Sequence, residues 1–260
     1  MFALAGLTVL ALAGAAVAGL WLSFAPAAAT TPAAAVAAGV APERGAPPAG
    51  ETAAEARARI AAEPMASVDP SAAFAGEASL ASAGRVEVPE PGDVYGPAGV
   101  VAGFPRTPGG ALAQLAAIEE QVYSSMCVSR AREVWDGWAA PGAEPFDKWR
   151  LARDVAAFLS GVGGGDCLPS GVSVRVAPAA GMVKGSVGED WAAVCVLLDV
   201  DVRAARQSRM GYGYCAAMAW IGGRWMVADG DLPEAPHTLP GTVAAVGAGW
   251  LEWAPQAGGD

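Results

Sequence analysis

Two long β-forming runs, WAAVCVLLDVDVRA (191–204) and MGYGYCAAMAWI (210–221), stand on either side of a short polar break. Their period of two restricts the fold more than any other feature of the chain. A hairpin turning near Arg206 sets the runs antiparallel and brings Cys195 opposite Cys215. Opposed residues in antiparallel strands lie about 4.5–5.5 Å apart at Cα, a span that a disulfide can bridge. The same register sorts the side chains into two faces. Val194, Val196, Leu198, Val200, Tyr212, Tyr214, Met218 and Trp220 share one face, bulky enough to pack against helices. Ala193, Cys195, Leu197, Ala217, Ala219 and Ile221 share the other, which stays apolar until Asp199 and Asp201. A face open to water carries polar residues. This second face is therefore expected to be covered by the C-terminal tail, a second copy or a partner. Ala193, Leu197, Ala217, Ala219 and Ile221 are its candidate interface residues.

Flanking segments complete an α+β domain over 103–254, three helices packed on a curved antiparallel sheet. Thr107 is placed to cap and Pro108 to begin a first helix carrying Leu112, Leu115, Ile118 and Val122 at helical spacing. The segments 129–140, with Ser129 as cap, and 145–163 read as the second and third helices. Strands follow at 171–178, 182–188 and 224–229. Gly222-Gly223 suits a two-residue turn that sets Trp220 against Trp225, an aromatic cross-strand pair. The tail over 233–253 holds a proline-rich loop and a short closing helix, and 255–260 is a terminal tail.

Residues 2–25 are apolar and uncharged, and no charged side chain precedes Glu43. As a helix they reach across a hydrocarbon core of about 30 Å, and Trp21 sits where an interfacial aromatic belongs. The expectation is an uncleaved single-pass anchor over 1–26; secretion after cleavage behind small residues is the alternative. Residues 27–102 are rich in Ala, Pro and Gly with few large apolar side chains, and read as a flexible stalk. Within them 51–63 has high helix propensity, but its one large apolar residue, Ile60, leaves it without an evident docking face.

The four cysteines all follow the apolar leader and form no C-x-x-C pair, which suits an oxidising compartment and a domain outside the cytoplasm. Three connectivities are open; the hairpin register favours Cys195 with Cys215, leaving Cys127 with Cys167. A net charge of -10 without a basic run argues against nucleic-acid partners. Catalytic signatures are missing. GVGGGD (161–166) follows a helix and has no P-loop lysine. The single histidine, His237, lies among prolines, and Asp199 and Asp201 mark a strand emerging into water. No catalytic, metal or cofactor residue is assigned, and the chain is not expected to be an enzyme.

The element order resembles the cystatin-like roll of nuclear transport factor 2. GFPRTPGGALAQLAAI (103–118), VKGSVG (183–188), the two strand cysteines and WIGGRWMVADG (220–230) resemble exported, single-anchor proteins of actinobacterial conjugative and mobile elements. The resemblance implies a non-catalytic, membrane-tethered accessory subunit of a conjugative or cell-envelope transfer assembly. Its partners would be the membrane, through residues 2–25, and envelope proteins or a second copy. Ketosteroid isomerase and scytalone dehydratase use the same roll, so a small-ligand binder or isomerase/dehydratase-like enzyme is the alternative. Tyr212, Tyr214, Trp220 and Trp225 are its candidate pocket residues.

Overall fold

In the computed structural model, which describes residues 50–255, the expected hairpin is the centre of the molecule. The anchor over 1–26, the first part of the stalk and residues 256–260 of the tail lie outside the described residues. The strands are β1 (Arg85–Val88), β2 (Val94–Tyr95), β3 (Val101–Ala102), β4 (Ser173–Val187), β5 (Trp191–Arg203), β6 (Gln207–Ile221), β7 (Arg224–Val227) and β8 (Leu251–Pro255). The helices are α1 (Ala53–Ala62), α2 (Pro108–Ser125), α3 (Val128–Trp138), α4 (Arg150–Gly161) and α5 (Val243–Gly247). Six strands form one sheet in the order β1-β8-β4-β5-β6-β7, antiparallel except where β1 runs parallel to β8. With its helices it makes an α+β fold around a curved half-barrel sheet. Two register shifts in β4, between Pro178 and Ala180 and between Val183 and Gly185, bend the long strand. They also join the expected strands 171–178 and 182–188 into one.

In the hairpin Cys195 pairs with Cys215, and Trp220 faces Trp225 with ring centroids 5.6 Å apart. Gly222 and Gly223 take φ of 61° and 84°, the left-handed values that a tight hairpin turn requires. Both disulfides, Cys195–Cys215 and Cys127–Cys167, are present. The helix-facing side of the hairpin enters the main core. Val194, Val196, Leu198 and Met218 are buried there with Leu115, Ile118, Val134, Val155 and Phe158 from the three helices. Each large apolar side chain so enclosed contributes roughly 1.5–3 kcal/mol.

Helix starts differ in one instructive place. Thr107 caps α2 through Gly110 N–H at 3.1 Å, with Pro108 in the first turn, as the sequence predicts. Ser129 does not cap α3, whose N-cap is Cys127. The disulfide from Cys127 to Cys167 brings the neighbouring Asp166 to the helix end. There its carboxylate accepts from Ser129 N–H at 3.0 Å and its carbonyl from Val128 N–H at 2.8 Å. The third helix is shorter than expected, because 145–149 forms turns ahead of α4.

Two expectations are corrected. The stalk does not extend to 102, because residues 50–102 pack on the domain. Helix α1 lies across β4 and β5 with Ile60 only 7% exposed, seated where Gly185 leaves room for no Cβ, which would stand 2.8 Å from the Ile60 side chain. Arg57 lies over the Trp191 ring, and Lys184 donates to the carbonyls of Ala61 and Glu63 at the end of α1. The second correction concerns the far face of the hairpin. Ala193, Leu197 and Ala217 are buried by the chain itself, Ala219 is half-buried, and only Ile221 reaches the surface. Ile60 covers one part of this face, and Ala235, Ala245, Ala248 and Trp250 of the tail cover the other. These residues are therefore not a free interface.

Candidate functional site

The four expected pocket residues do not share a cavity. Trp225 is 1% exposed and donates its indole N–H to Pro105 O at 2.9 Å, while Trp220 packs edge-on against it. Tyr212 is buried and Tyr214 lines a surface cavity. Asp199 and Asp201 are held at the hairpin end by Arg209 and Gln207 from the opposite strand.

What the fold does assemble is a polar cluster between α4, β6 and the tail. Asp154, one turn along α4 from Arg150, accepts from the Tyr212 hydroxyl at 2.5 Å and the Tyr123 hydroxyl at 3.2 Å. Arg150 Nε stands 3.4 Å from the same oxygen, and its Nη2 donates to Glu234 at 2.6 Å. His237 stacks on Tyr212 and accepts from Gly213 N–H at Nδ1, so its proton sits on Nε2, facing Glu234 at 3.2 Å. Hydrogen bonding to His237 and Arg150 holds the Glu234 carboxyl down at about 2. Burial pushes Asp154 up despite Arg150 beside it, and it pushes both tyrosine hydroxyls well above their ordinary range. Of this cluster only His237 and Tyr212 stand out in the sequence, because its members come from four separate stretches.

Glu119, on α2, is wholly buried, and neither carboxylate oxygen has a hydrogen-bond partner. Burial pushes its carboxyl well above the usual range, because a charge there has neither water nor a donor. It lies among the charges that act on Tyr123 and Tyr214.

A cavity of about 320 Å³ opens beside Tyr214, between the β6 residues Gly213 to Ala217 and the loop 227–235. Trp135 supplies an aromatic wall, and Glu144, Lys148, Arg150, Asp229, Asp231 and Glu234 surround it with charge. Crossing chain crowds one end: a Cβ on Gly213 would stand 2.7 Å from Pro236 O, which explains the small residue there. A second, more open groove of about 590 Å³ lies under the exposed Tyr95, with Phe104 and Trp253 in its wall. Among the described residues no group of three or more His, Cys, Asp or Glu side chains could hold a metal ion, and no helix is long and apolar enough to cross a membrane. In comparisons with known proteins, no family model, curated protein or solved structure matches the chain.

Proposed function

We propose that this chain is a non-catalytic, membrane-tethered interaction module outside the cytoplasm, an accessory subunit of a conjugative or cell-envelope transfer assembly. Residues 2–25 would hold it in the membrane, and the domain would be a cystatin-like roll of the nuclear transport factor 2 type. The order of three helices before the long strands supports that fold reading. The two disulfides support an oxidising compartment.

The observation that carries the functional reading is where the polar groups are spent. Acid–base work on a ligand needs a titratable group within reach of it. Glu119 is sealed at 0% exposure, and Asp154 is engaged by Tyr123, Tyr212 and Arg150. Uncommitted charge lies instead on the rim of the Tyr214 cavity, open to a macromolecule. This speaks against the alternative, a small-ligand binder or isomerase/dehydratase-like enzyme in the interior of the roll.

The test is photo-crosslinking in the native cell from a probe placed at Lys148 in the full chain. Discrete adducts with envelope proteins are expected. No adducts from a correctly disulfide-bonded chain would remove this reading.

A further inference from the structure

The edge of β6 beside the Tyr214 cavity has a gap in its strand pairing, centred on Cys215. Cys195 and Cys215 have Cα atoms 4.0 Å apart. That is the narrow spacing of an antiparallel pair that exchanges no backbone hydrogen bonds. The N–H and C=O of Cys215 therefore point away from β5, toward the place a further strand would take. The residues two positions away behave in the same manner. Gly213 N–H donates outward to His237 Nδ1 at 2.9 Å, and Ala217 C=O accepts outward from Ala228 N–H at 2.8 Å. Between these two bonds no strand is present, because β7 pairs with β6 only from Met218 onward. All of Gly213 to Ala217 lines the cavity, an edge about 13 Å long at the usual rise of a strand.

The charge around this edge is unbalanced. Arg150 is already shared between Asp154 and Glu234. That leaves three carboxylates, Glu144, Asp229 and Asp231, against Lys148 on the cavity wall and Arg153, which acts on Glu144 from outside it. Burial raises the Glu144 carboxyl above its ordinary value; Arg153 works against it, and Asp229 and Asp231 add to it. A cation brought among these three groups relieves their repulsion.

We propose that the cavity receives an extended, basic peptide segment of a partner protein, which adds to β6 as a short strand. Cys215 N–H and C=O supply the backbone hydrogen bonds, as in other cases where a peptide extends a sheet edge. Glu144, Asp229 and Asp231 select a lysine or arginine side chain, and Trp135 offers its ring to the stem. The site rests on the reading of the chain as an interaction module and names the chemistry of what it holds.

The full chain is titrated with a blocked pentapeptide of alternating valine and lysine, followed by tryptophan fluorescence and by amide exchange over β6. Saturable binding that slows exchange at Cys215 is expected. A peptide with glutamate in place of lysine should not bind. Asp229→Asn with Asp231→Asn, both exposed positions, should weaken binding roughly fivefold. Equal binding of a peptide N-methylated at its edge-facing residues would overturn the proposal, as would no saturation at millimolar peptide. If crosslinking from Lys148 still finds envelope partners, such a result removes only the strand-addition site. If crosslinking also fails, the module reading goes with it.

Discussion

Glu119 places a carboxyl group where water does not reach and no donor compensates it. An unpaired buried polar group of this kind costs about 1–3 kcal/mol. Its raised folded pKa gives the cost a pH dependence of definite sign. Well below the ordinary carboxyl value of 4.5 both the folded and unfolded chains hold the proton, and ionisation adds no penalty. As pH rises through that value the unfolded chain ionises while the folded one does not, and stability falls. Glu119→Leu is therefore expected to raise stability by about 1–3 kcal/mol at neutral pH, and by less near pH 3. Denaturant unfolding at the two pH values checks this; a loss of stability at neutral pH would mean that Glu119 has an unrecognised structural partner. Asp154 is the counter-example. Only 13% of its side chain is exposed, yet two hydroxyls and a guanidinium converge on it, so removing it would take a partner from all three.

Among elements, legibility followed the strength of the hydrophobic period. The β5–β6 register could be read because a one-residue slip would send every side chain to the wrong face, and Cys195 and Cys215 fixed the choice. Helix α2 was legible through Thr107 and Pro108. Helix α1 was legible as a helix but not as a docked one, because a stripe needs repetition and this helix docks through Ile60 and the small Ala56. Its seat is built from the other side, by Gly185, Trp191, Ala193 and Ala217, and no local pattern could signal that. The parallel pairing of β1 with β8 was hidden for a similar reason, since both strands are short and far apart in the chain. Ile60→Ala empties that seat and is expected to cost about 2–5 kcal/mol. Loss of amide protection in α1 and its seat on β4, with the β5–β6 pairing retained, would locate the damage. An unchanged unfolding midpoint would mean that α1 contributes nothing to the fold.

For the whole molecule, these contacts move the boundary of the folded unit. The sequence places it at Gly103, where a stretch of glycine and proline meets the first strong helix, and that reading leaves 27–102 outside. The structure puts β1, α1 and the turn at 70–73 into the domain, and the backbone confirms it at separate places. Glu252 N–H donates to Gly84 O, Leu239 N–H to Ala72 O and Val243 N–H to Glu77 O, each at 2.8–2.9 Å. The site depended on the same long-range arrangement. Its free edge follows from β7 being four residues long against the fifteen of β6, a mismatch visible in the sequence once the Gly222-Gly223 turn is placed. Its acidic rim comes from loops that only the fold brings together. A chain begun at Gly50 should therefore unfold cooperatively with both disulfides intact. One begun at Gly103 lacks Ile60 and every residue of β1, so Trp191, Ala193 and Ala217 become wet and β8 loses its outer neighbour. It should lose several kcal/mol by the usual cost of exposing such side chains, expose apolar surface to a reporter dye and release the Trp191 region to rapid amide exchange. Equal stability of the two chains would return 50–102 to the role of a tether, with the folded unit beginning at Gly103.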